Sequence, residues 1–155
     1  MPEFPQRPTP EAREPLDRLR ALCLALPGAS ERLSHGEPAW FVRKQSRPSL
    51  RGRRKAQLGG AEGDPATKEP DRSASIQFVT MADHHHDERV AFWAAAPEGA
   101  QGRWIALDPV RFFRPPYVGG RGWIGVYLDV EQDWDDVAEI VGDAHAVVTP
   151  RVEQR

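Results

Sequence analysis

The chain has 155 residues and a formal net charge of -2, with 39% hydrophobic and 28% charged residues, a balance that suits one domain with its own core. No run approaches the roughly 20 apolar residues of a membrane helix, and a near-neutral charge supplies no global attraction to nucleic acid. The single cysteine, Cys23, excludes an internal disulfide and a thiolate-rich zinc site, and its place within ALCLAL predicts a small buried thiol.

The opening MPEFPQRPTPEAREP has neither the basic start nor the apolar run of a signal peptide, so the expectation is an unexported, cytoplasmic protein. Residues 1–14 read as a disordered tail. Leu16, Leu19, Cys23 and Leu26 then recur as one face of a helix that Pro27-Gly28 ends; Thr9-Pro10 offers one start for it, but Pro15, lacking an N–H, competes for the first turn, so the favoured start is about residue 15. SERLSHGE follows as a polar link and PAWFVRK as a strand. From about 45 to 75 the chain is rich in Arg, Gly, Pro, Ser and Glu and almost free of large apolar residues. That composition cannot offset its ordering entropy, so the segment reads as a flexible basic and polar insertion.

SIQFVTMA (75–82) and RVAFWAAA (89–96) are strand-like runs on either side of DHHHDE, which predicts a hairpin with the histidines at its solvated tip. EGAQGRWIALD is weakly helical because Gly99 and Gly102 each cost about 1 kcal/mol in a helix interior. PVRFFRPPYVGGRG reads as an irregular connection. WIGVYL (123–128) is a strand, with Trp123, Gly125 and Tyr127 on one side and Ile124, Val126 and Leu128 on the other. Asp133 can cap a last helix that buries Trp134, Val137, Val141, Ala144 and Val148 and stops at Pro150. The order predicts an α+β fold: a mostly antiparallel sheet with N- and C-terminal helices on one face. Residues 15–150 form the single domain, interrupted by the insertion, and 151–155 are a tail.

Four stretches together, LALPGASERLSHGEPAWFV, FVTMADHHHDERVAFWAAAPEGAQ, DPVRFFRPPYVGGRGWIGVYLD and DWDDVAEIV, resemble the MmcQ/YjbR family over residues 16–44 and 76–149. The resemblance implies a small CyaY-like α+β fold in which hairpins project as wings. It also implies the DNA binding, with a double-wing motif, that is ascribed to members by structural analogy. This sequence departs from the pattern between Lys44 and Gln77, where about thirty extra residues replace a tight turn; the two flanking strands are expected to pair across them.

For duplex binding the candidate phosphate contacts are Arg43, Lys44, Arg89, Arg111, Arg114, Tyr117 and Arg121. Arginines interleaved with aromatic rings in RFFRPPYVGGRGW permit phosphate contact beside stacking, and the basic run RKQSRPSLRGRRK adds an arm of its own. The competing expectation is a small-molecule or metal-binding module with a cleft lined by His35, Trp40, Trp93, Tyr117 and Trp123. Strand alternation puts His84 and His86 on one side, yet two imidazoles and a carboxylate fall short of a zinc site, so no metal and no cofactor are assigned. No nucleophile–base arrangement can be argued from residue types alone, so no catalytic residue is assigned. The partner expected is DNA, with no membrane.

Overall fold

The computed structural model describes residues 8–43 and 74–149. Along the chain these form helix α1 (Pro10–Leu24), strands β1 (Ala29–Ser34), β2 (Glu37–Arg43), β3 (Ser75–Asp83) and β4 (Val90–Ala94), and helix α2 (Ala100–Leu107). Strands β5 (Phe112–Phe113) and β6 (Ile124–Tyr127) and helix α3 (Trp134–Val148) complete the order. The strands make one sheet in the order β1-β2-β3-β4-β6-β5, antiparallel at every pairing. The expected α+β class holds, and α1 and α3 pack together on the sheet.

Register decides which side chains face those helices. Trp40, Val79, Ala94 and Ile124 stand in one row across four strands, and all are fully buried. Met81, Phe92, Val126 and Phe112 form the next row on the same face, since residues two apart share a side. Both rows enter one core with Leu16, Leu19 and Cys23 of α1 and Val137, Ile140, Val141 and Ala144 of α3. The intervening row, Ala39, Thr80, Trp93, Gly125 and Phe113, points to the opposite face. That face carries the cleft described below.

Three elements depart from the sequence reading. α1 starts at Pro10 rather than near residue 15, with Thr9 extended before it and Pro15 inside it. A tertiary tether offsets the hydrogen bond that Pro15 cannot make: the Thr9 N–H and Oγ1 donate to the buried Asp83 carboxylate at 2.8 and 2.9 Å. The polar link SERLSHGE contains β1, an edge strand whose half-exposed residues carry little apolar signal. It reverses into β2 through His35-Gly36, with φ of 53° and 80°, the double positive-φ geometry of a two-residue type I′ hairpin. The irregular connection contains β5, whose Phe112 plugs the core.

The histidine hairpin forms between β3 and β4 as expected. Strands β2 and β3 pair from Ala39↔Thr80 to Arg43↔Ser75, so the chain on either side of the insertion is adjacent. Lys44, nearly all of the 45–75 insertion, residues 1–7 of the expected tail and the 151–155 tail lie outside the described residues, while residues 10–14 of that tail belong to α1. Asp133 caps α3, its side chain accepting from the Asp135 N–H.

Candidate functional site

A cleft of about 500 Å³ opens on the sheet face opposite α1 and α3, and its lining comes from four separate stretches of chain. The β1–β2 hairpin supplies Ser34, His35 and Glu37, and β3 supplies Ile76, Gln77 and Thr80. The β3–β4 tip and β4 add His85, His86 and Trp93. The β5–β6 connection closes the remaining side with Tyr117, Val118, Arg121 and Trp123. A volume of this size suits a small molecule of one to a few rings.

Each wall has a local cause. The β5–β6 connection is pinned to α2 by Gln101, whose Nε2 donates to the carbonyls of Gly119 and Trp123. Residues Gly119–Arg121 wind a single 3₁₀ turn, and Gly122 takes φ 89° at its end, a conformation glycine adopts without a Cβ clash. Tyr117 adopts φ 64° and stays 81% exposed at the cleft edge. A non-glycine residue there is held at a conformational cost. The rings make a continuous array: His86 stacks on Trp93 at 5.6 Å and 9°, meets Tyr117 at 5.1 Å, and touches His85 edge-on at 4.5 Å.

At the base lies a buried carboxylate, Glu37, 2% exposed. Its Oε2 accepts from the Asp83 N–H at 2.9 Å and lies 3.5 Å from His85 Nδ1. Asp83, 1% exposed, accepts from Thr9 and sits 2.6 Å from His84 Nδ1, while His84 Nε2 lies 3.4 Å from Glu11. The cleft base is thereby linked through Asp83 to the start of α1.

These positions correct the reading of the histidine tip. His84 takes φ 55°, which breaks strand alternation and turns it toward α1, whereas His85 and His86 both lie on the cleft. His84 and His86 are therefore not brought together as a metal pair, and among the described residues no group of three His, Cys, Asp or Glu could hold a metal ion. Nor is the tip simply solvated, since its rings pack on Trp93.

Of the cleft residues expected from sequence, His35, Trp93, Tyr117 and Trp123 are on its wall. Trp40 is not. It is fully buried on the helix-facing row, where its Nε1 donates to Glu31 at 3.0 Å. Glu37 and His85 are not in that expected set; they stand in the polar link SERLSHGE and the hairpin tip DHHHDE. Ile76, Gln77 and Thr80 gave no chemical signal because only cross-strand register brings them there.

The expected phosphate-contacting residues disperse. Arg89 is forked onto Asp129 by two bonds of 2.7 Å and lies over the Tyr127 ring. Arg111 bridges Asp108 at 2.8 Å and Asp136 at 3.0 Å. These carboxylates hold both guanidinium pKa values above their ordinary position: Asp129 for Arg89, Asp136 and then Asp108 for Arg111. Arg114 packs against Gly119, where a Cβ would strike its side chain. Arg43 is exposed at the end of β2. Arg121 and Tyr117 belong to the cleft. Among the described residues no helix is long and apolar enough to cross a membrane.

Comparison with known proteins reaches the fold. No family model and no curated protein matches the chain. Among solved structures it is similar to the Deinococcus radiodurans protein DR2400, described by the family-model domain DUF419. The identity is 13% and the TM-score 0.61, covering 90% of this chain and 82% of that one. At that identity the likeness concerns architecture alone.

Proposed function

We propose that this chain is a small-molecule binding module of the MmcQ/YjbR type, and that its ligand occupies the cleft lined by His35, Glu37, Trp93, Tyr117, Arg121 and Trp123. The family part rests on the ordered sequence motifs and on the fold shared with a DUF419 protein. The binding part rests on one observation: residues from four distant stretches converge on a cleft that combines indole walls, a buried carboxylate and an exposed guanidinium. Apolar walls with a few convergent polar groups are the usual make-up of a ligand site.

The duplex-binding reading has less support, because Arg89 and Arg111 would have to leave their carboxylates to meet phosphate. It keeps Arg43, Arg114 and Arg121. The experiment that separates the two is a pair of titrations on the full chain. Ring-bearing fragments are expected to quench tryptophan fluorescence, and Trp93→Ala is expected to weaken that response at least tenfold. Labelled duplex is expected to give no saturable anisotropy change at low salt. Saturable duplex binding with a log–log salt slope near -0.9 per phosphate contact, together with indifference to fragments, reverses the assignment.

A further inference from the structure

We infer that the cleft is built for a planar aromatic carboxylate, with its ring laid against the Trp93–His86 array and its negative group on Arg121. This rests on the cleft being a ligand site and specifies what enters it.

The ring follows from the walls. Trp93 and Trp123 are 9% and 7% exposed and both line the cleft. His86 lies parallel to Trp93 within 9°, so one wall already consists of stacked planes, and a further planar group extends that stack with favourable offset contacts. Tyr117, 81% exposed beside His86, offers ring surface that nothing in the described chain covers.

The charge follows from what the lining groups already hold. Among the described residues Glu37 is the cleft's one carboxylate, and its Oε2 is turned to the Asp83 N–H and the His85 imidazole. That oxygen is therefore engaged at the base. Among the described residues Arg121 is the cleft's one guanidinium, exposed and resting 5.6 Å from the centre of the Trp123 ring, and no described carboxylate pairs with it. Arg20, Arg89 and Arg111 all have such partners. A guanidinium fork matches a carboxylate through two parallel hydrogen bonds, and Arg121 lines the same cleft as Trp93 and His86. The imidazoles of His35, His85 and His86 add donors and no fixed negative charge.

The test uses the full chain and three probes: naphthalene-2-carboxylate, its neutral amide, and cyclohexanecarboxylate, titrated by calorimetry. The aromatic carboxylate is expected to bind about tenfold or more tighter than the amide, the usual size of a hydrogen bond to a charged group, and tighter than the saturated acid. Arg121→Gln, a change at an exposed side chain, is expected to bring the carboxylate down to the amide's affinity and to leave the amide unaffected. Arg103→Gln, at an exposed position on α2 outside the cleft lining, is expected to change neither. Equal binding of acid and amide, unaltered by Arg121→Gln, overturns the charge assignment and leaves the cleft reading standing. Equal binding of the aromatic and saturated acids overturns the ring assignment. Binding by none of the three removes this inference, and failure of wider ring-bearing fragments as well removes the cleft reading with it.

Discussion

Single side chains settle several questions that composition only framed. Cys23 is fully buried on the inner face of α1, and burial first, with the nearby Glu31 charge second, pushes its thiol well above the ordinary range. The thiolate is the reactive form, so a thiol reagent should label native protein only as fast as the chain opens. Labelling at the rate of a free thiol without denaturant would show the core to be wrong there. Gly125 carries the Phe113 ring across its backbone, so a Cβ would collide with that ring. Gly125→Ala should therefore destabilise by about 1 kcal/mol, a modest overpacking cost because the ring can swing; urea unfolding reads it. The thiol was legible from its apolar neighbours, and so was the alternation of Gly125 with Ile124 and Val126. Trp40 was not, because composition cannot tell an indole that fills a core from one that lines a cleft; the difference lies in which face register gives it.

Among elements, short polar connections decide what is held in place. Asp129, just after β6, receives two bonds from Arg89 and one from the Val90 N–H. Burial works against its charge, but those donors outweigh burial and hold the carboxyl below the usual carboxylate range. A depressed carboxyl contributes stability above its unfolded value, near ~3.9, and loses it as pH falls through the lower folded value. Asp129→Asn should therefore lower stability at neutral pH by about 1 kcal/mol or less, given the partly exposed pair. It should also flatten the acid limb of the stability curve below about pH 4. An unchanged acid limb would contradict this. At α3, Asp133→Ala should cost about 1 kcal/mol through loss of its cap, readable by thermal unfolding. That cap, the end of α3 and the histidine hairpin were readable because their signals are local. β1 was not, since an edge strand of Ser, Glu and Arg has no apolar period. The start of α1 was legible only as one of two candidates, Thr9-Pro10 and Pro15, because the choice between them depends on Asp83, 74 residues away from Thr9.

For the whole molecule, the sheet divides the chain into a core face and a cleft face. Strands β2 and β3 pair up to Arg43↔Ser75, so replacing residues 45–73 with a short turn should leave the fold intact, because loop closure changes slowly with length. Near-UV circular dichroism should be unaltered, and loss of cooperative unfolding would refute the pairing. The two-layer plan was visible in the sequence as helix periods at the ends and strand periods between. The cleft was half visible: its aromatic residues stood out, while Glu37 and His85 read as parts of a polar link and a hairpin tip, and only tertiary approach supplies their roles. The central claim is that a ligand enters between Trp93 and Trp123, and indole N–H chemical shifts test it most directly. With ring-bearing fragments added to labelled protein, the Trp93 and Trp123 signals should move while that of Trp40, bonded to Glu31 in the core, stays fixed. Shifts confined to other tryptophans, or none at saturating fragment, would contradict the account.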